Sequence, residues 1–136
     1  MDMDQMNVHR WIGLIEEHWK SRDPQAIAEL FTEDASYHQG PYGTAHIGQQ
    51  AIAEHWATTL SNQKDPIVWF GTPVASGDRA FVEWWCILHD PATGTPRTAA
   101  GCIALRFAED GRCASFHEYW HSAPDTAREP AEGWFA

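Results

Sequence analysis

Two periodicities divide this sequence, and few folds accept both in the order found. Val8, Trp11, Ile12, Ile15 and Trp19 recur at the spacing of one helical face. Asp23-Pro24 restarts the chain, an N-cap acid followed by a proline at the first helical position. Ile27, Leu30 and Phe31 then supply the apolar stripe of a second helix, ending in Thr32-Glu33-Asp34-Ala35. Residues 36–39 read as a short strand entering the turn Gly40-Pro41-Tyr42-Gly43, and a third helix follows Gly48 with Ile52, His55, Trp56, Thr59 and Leu60 on one side. Beyond it the chain reads as four strands, 66–75, 79–88, 97–108 and 112–121. Ser76-Gly77-Asp78, Asp90-Pro91-Ala92-Thr93-Gly94 and Asp110-Gly111 separate them as hairpin connections. An antiparallel meander is therefore expected, in an α+β rather than a parallel α/β architecture.

A sheet with helices on one face and water on the other alternates apolar and polar residues. Strand 79–88 does not: Phe81, Trp85 and Ile87 mark one face, while Val82, Trp84, Cys86 and Leu88 fill the other. Helices on the concave side and a second copy on the convex side would cover both, so a homodimer through the outer sheet face is expected. The 136 residues suit one domain, 1–136, with its core over 8–121 and an irregular tail over 122–136. Nineteen acids against nine bases give a net charge of −10, which argues against nucleic acid and anionic membrane as partners. No apolar run approaches the ~18–20 residues of a membrane helix, and the acidic start is unlike a signal or transit peptide. Cys86, Cys102 and Cys113 lie in apolar runs without CxxC spacing, which fits a reduced, cytoplasmic setting. Eight Trp in so short a chain exceed what a small core readily hides, and point to a pocket or an interface.

Several motifs in order carry a family resemblance. They are Arg22-Asp23-Pro24-Gln25-Ala26-Ile27, Phe31-Thr32-Glu33-Asp34-Ala35, Pro41-Tyr42-Gly43, and His46-Ile47-Gly48 with Ala51, Ile52 and Trp56. Gly77-Asp78-Arg79 follows, then Arg106-Phe107 through Asp110-Gly111-Arg112 to Glu118-Tyr119-Trp120. Together they resemble the nuclear transport factor 2-like superfamily, with its SnoaL-like polyketide cyclases, ketosteroid isomerases, scytalone dehydratase and limonene epoxide hydrolase. The resemblance implies a cone-shaped fold, three N-terminal helices packed on a curved antiparallel sheet, a deep pocket, and dimers through the convex face. It also implies that Phe81, Glu83, Trp85, Gly101, Ile103, Leu105, Phe116, Glu118 and Trp120 point into the cone, with His55 or Trp56 from the third helix. The ketosteroid isomerase set itself does not carry over. Its general-base Asp falls at Gly40 or Gln39, its oxyanion Asp at Ile103 and its oxyanion Tyr near Ile15.

On this reading Glu83 and Glu118 are the candidate acid and base. The Asp110-Gly111 hairpin sets Glu118 beside Ile103, and the preceding hairpin sets Glu83 near Ile103 from the other side, which separates the carboxylates by roughly 9–10 Å. A carboxyl walled by Trp has a raised pKa, as proton transfer requires. Strand alternation turns one of Tyr37 and His38 inward, and His55 is a further titrating candidate. Trp85, Trp120, Phe116, Trp56, Phe81, Ile103 and Ile15 are the expected ligand-contacting residues. His117 and His121, ~13 Å apart along one strand face, are expected on the outer face with Tyr119 and Trp84. No HxH or HExxH pattern and no Gly-rich phosphate loop occurs, so no metal and no cofactor is expected. The functional expectation is a cofactor-independent isomerase, cyclase or dehydratase acting on a small apolar or aromatic molecule. The alternatives are a non-catalytic ligand-binding or accessory homodimer of the same fold, and an interaction module working through its sheet face.

Overall fold

Val8, Trp11, Ile12, Ile15 and Trp19 are buried along one side of helix α1 (Met3–Lys20), as their spacing predicts. The computed structural model describes residues 3–136. Helix α2 (Pro24–Ala28) is capped by Asp23, whose carboxylate accepts from the Ala26 amide at 3.0 Å. The helix is shorter than its apolar stripe predicts, because Phe31 already opens strand β1 (Phe31–Gln39). Tertiary partners capture the chain there: the Leu30 carbonyl accepts from Trp11 Nε1 at 2.8 Å and from the Cys113 amide at 2.9 Å. Strand β2 (His46–Ile47) and helix α3 (Gln49–Ser61) follow, α3 burying Ile52, Trp56 and Leu60.

The sheet continues with β3 (Lys64–Phe70), β4 (Val74–Ser76), β5 (Arg79–His89), β6 (Pro96–Phe107) and β7 (Cys113–Pro124). The expected strand 66–75 is thus two strands, interrupted at Gly71-Thr72-Pro73. Strand order is β2-β1-β7-β6-β5-β3, with β4 also on β5. Hairpins join β5, β6 and β7 as expected, but β1 pairs with β7 in parallel, so the sheet is mixed. The helices and this curved sheet form the expected α+β cone.

Register decides what faces the interior. Ile103 stands opposite Glu118, as the Asp110-Gly111 turn predicts. Between β5 and β6, however, Val82 and not Glu83 stands opposite Ile103. Asp90 closes a loop that runs on to Thr95: its amide donates to the Thr95 carbonyl, and its side chain accepts from Ala92 and Thr93. That is one residue longer than the turn read from sequence, and a one-residue slip exchanges the two faces of a strand. Ala80, Val82, Trp84, Cys86 and Leu88 are therefore buried inside, while Phe81 is 46% exposed on the convex side.

The chain's own tail covers part of that convex face. Thr98 Oγ1 donates to the Thr126 carbonyl and Trp85 Nε1 to the Arg128 carbonyl, each at 2.7 Å. Trp134 packs edge-on against Trp85, and Phe135 sits over Gly71, where a Cβ would come within 2.8 Å of its ring. Ile87, an outward-facing residue paired with Thr98, is buried.

Candidate functional site

A cavity of about 180 Å³ lies between the sheet and the helices. Tyr37 from β1, Trp84 and Cys86 from β5, Glu118 and Trp120 from β7, and His55 and Trp56 from α3 line it. Trp19 of α1 donates from Nε1 to Gln63 Oε1 at 2.9 Å, and both residues belong to the lining. Tyr37 is held from behind by Phe116, whose ring stacks on it at 4.2 Å and 7°. The His55 ring stands 5.0 Å from Tyr37 and 4.4 Å from His46, the residue paired with Tyr37 across β1 and β2.

Burial sets the titration of these groups. The Glu118 carboxyl is raised from its ordinary value near 4.5 to about 7 because protein surrounds it, and a hydrogen bond donated by Tyr37 offsets only part of that cost. No ion pair holds it among the described residues. Burial and then the Glu118 charge hold the Tyr37 phenol well above 10, so it stays protonated and donates. His55 is lowered to about 4, first by burial and then by His46, and is neutral at pH 7. Burial pushes the Cys86 thiol up to about 12, which removes it as a nucleophile. Two buried donors add to this set. Among the described residues Trp84 Nε1 has no partner, and Trp56 Nε1 lies near the Tyr37 hydroxyl without closing a hydrogen bond of ordinary geometry. The site therefore offers one carboxyl poised between its charge states and several N–H and O–H donors.

A family model described as the SnoaL-like domain matches residues 11–116. The chain belongs to the SnoaL-like family. No curated protein matches it in sequence. Among solved structures, a hypothetical protein of ketosteroid isomerase-like fold from Catenulispora acidiphila, in complex with trimethylamine, is similar at TM-score 0.72 and 21% identity. That match covers 80% of this chain and 83% of the other. SalBIII, an epoxide hydrolase/cyclase-like enzyme of pyran ring formation in the polyether salinomycin, is similar at TM-score 0.72 and 16% identity, over 85% and 96%. At these identities the likeness is one of fold.

In this SnoaL-like domain the structure brings together Glu118, Tyr37, His55, Trp56 and Trp120 from the expected set. It does not bring Glu83 to them. Glu83, Trp85 and Phe81 face outward through the register of the β5–β6 hairpin, so the sheet itself separates Glu83 from Glu118. His38 also faces outward, its ring 4.4 Å from that of His117, which leaves Tyr37 as the inward member of the pair. Ile15 is 2% exposed in the core of the cone, and Phe116 and Ile103 are buried behind Tyr37 and beside Glu118 rather than lining the cavity. Trp120 is 38% exposed beside Gly40 while also lining the cavity, which puts it at the rim.

Trp84 is the main residue that sequence reasoning misplaced, on the outer face. A signal for it existed: Val82, Trp84, Cys86 and Leu88 form the alternate set with no charge, whereas Glu83 interrupts the other. Gln63 and Arg97, which also line the cavity, carried no such signal. Among the described residues, no three His, Cys, Asp or Glu side chains are grouped to hold a metal ion.

Proposed function

We propose that this SnoaL-like domain binds a small oxygen-bearing molecule in the cone and moves a proton on it, as a cofactor-independent isomerase, cyclase or dehydratase. The observation that carries the reading is the Glu118 carboxyl, raised to about 7 in a cavity and, among the described residues, without an ion-pair partner. A group titrating near the working pH both takes and returns a proton efficiently. With Glu83 on the other side of the sheet, Glu118 acts alone. It withdraws a proton from carbon next to a carbonyl and returns it to the same or a neighbouring atom. Tyr37 donates to the carboxylate, and the indoles of Trp56 and Trp84 in the cavity wall add buried N–H donors to its surroundings. His55, neutral at pH 7, orients and does not protonate. The volume, about six waters' worth at ~30 Å³ each, limits what fits to a small molecule.

The measurement is solvent deuterium incorporation into small enolisable ketones, followed by NMR. Glu118→Gln is expected to slow exchange by about 10²-fold or more, and Tyr37→Phe by less. Exchange that Glu118→Gln leaves untouched overturns the reading.

A second reading rests on the aromatic walls. Trp19, Trp56, Trp84, Trp120 and Tyr37 surround a carboxyl that has no ion pair among the described residues, an arrangement suited to a small alkylammonium ion. The similar protein from Catenulispora acidiphila was solved with trimethylamine. Thermal stabilisation by trimethylamine that Glu118→Gln abolishes, with no deuterium exchange in any ketone, favours this binding role over catalysis. The homodimer expectation is kept for the open part of the outer face, the groove of about 960 Å³ between Trp85, Tyr119 and Trp134.

A further inference from the structure

The convex face carries a second constellation, remote in character from the cavity. Strands β5, β6, β7 and β1 lie side by side, and their register lines up two adjacent rows. Arg79 stands opposite Arg106, Arg106 opposite Ser115, and Ser115 beside Ser36. In the next row Phe81 stands opposite Ala104, Ala104 opposite His117, and His117 beside His38. All alternate with the inward residues Ala80, Leu105, Phe116 and Tyr37, so they project outward together. Ala104, the small member of its row, lies in a depression of about 360 Å³ lined by Arg79, Arg106, Ser115 and His117.

Two like charges directly opposite on neighbouring strands repel. Arg10, Arg22 and Arg112 each donate to a partner in the chain. Arg79 and Arg106 form no ion pair among the described residues, and Arg79 only rests over the Phe81 ring at 5.5 Å. In a chain of net charge −10, two unneutralised guanidinium groups side by side are a local inversion of charge. Its field reaches His117, held below its ordinary value by partial burial first and then by His38, Arg106 and Arg79.

The geometry points to an oxyanion site: Arg79 and Arg106 grip a phosphate group, free or on a small ester, with Ser115 and His117 as flanking donors. Arginine forks match the oxygens of a phosphate, and a bound dianion removes the repulsion between the two strands. Phe81, exposed at the rim, offers a surface to the organic part of an ester.

The test is calorimetric titration of the full chain with inorganic phosphate and, separately, phenyl phosphate, at constant ionic strength because exposed charges are screened. Saturable binding is expected, weakened at least about tenfold by Arg79→Gln with Arg106→Gln. It should be unaffected by Arg112→Ala, whose guanidinium is paired with Asp110, and by Glu118→Gln, which separates this site from the cavity. Tighter binding of phenyl phosphate identifies an ester ligand, and equal binding identifies the free ion. Without phosphate the double variant should melt no lower than the parent. Absence of saturable binding overturns the proposal, as does binding that the double variant retains. Conversion of a phosphate-insensitive dimer to monomer by the double variant also overturns it, because an acidic group of a second copy then fills the cluster.

Discussion

Glu118 and His55 line one cavity and depart from their ordinary titration in opposite senses. Folded Glu118 keeps its proton up to about 7, whereas unfolded it loses the proton near 4.5. Its protonated form is accommodated fully below 4.5, and stability falls as pH rises from there through 7, by about 3 kcal/mol in all. Glu118→Gln removes that dependence. Its melting temperature should exceed the parent's by several degrees at pH 8 and converge on it at pH 4.5; a difference between the two that does not widen over this range contradicts the burial of the carboxyl. His55 works the other way. Folded, it stays neutral down to about 4, so the unfolded chain takes up a proton below 6.5 and stability drops as pH falls from 6.5 to 4. His55→Gln should flatten that acid limb. The loss is smaller than a fully buried ring would give, since His55 is only half-buried. Between 4.5 and 6.5 the two slopes oppose, and the parent's melting temperature should vary least there.

At the scale of elements, Gly101 of β6 leaves no room for a side chain against β7. A Cβ there would fall on the Tyr119 carbonyl oxygen and within 2.7 Å of Trp120 Cα, both backbone atoms that cannot swing aside. Gly101→Ala should cost about 1–3 kcal/mol by overpacking, read as a lower urea midpoint. Because Gly101 pairs with Trp120, the same change should alter Trp120 fluorescence at the cavity rim. Elements differ in how far their sequences reveal them. Helices α1 and α3 declare themselves because their apolar faces repeat over several turns. The interior position of Glu118 was implied by the family resemblance, and its pairing with Ile103 is reached through a one-residue shift of the ladder between Phe107 and Arg106. Glu83 was misread because the Asp90–Thr95 loop closes through side-chain bonds of Asp90, which fix a register that composition alone does not reveal. Leu30 and Phe31 fit a helical stripe equally well, and only their partners Trp11 and Cys113, distant in sequence, settle them as the approach to a strand.

The whole molecule is finished by its tail. Thr126 and Arg128 are tied to Thr98 and Trp85, while Trp134 and Phe135 cover the β3–β5 side of the convex face. Truncation after Pro124 uncovers Ile87 and Trp85 and leaves buried Thr98 short of its partners. Such a chain should bind a hydrophobic dye strongly and self-associate in sedimentation at concentrations where the full chain is unchanged. An apolar face covered in this way explains why strand 79–88 carries no clean alternation, and it needs only part of the second copy that the sequence led one to expect.

The parallel pairing of β1 with β7 has a consequence for how the site comes into being. Tyr37 and Glu118 belong to strands near opposite ends of the chain, and no hairpin draws them together. Every local step, helices and meander alike, can be complete while the two remain apart, and closing so long a loop is the slow part of assembling such a topology. During synthesis β1 emerges long before β7, so the part of the cavity wall that joins Tyr37 to Glu118 waits on the later strand.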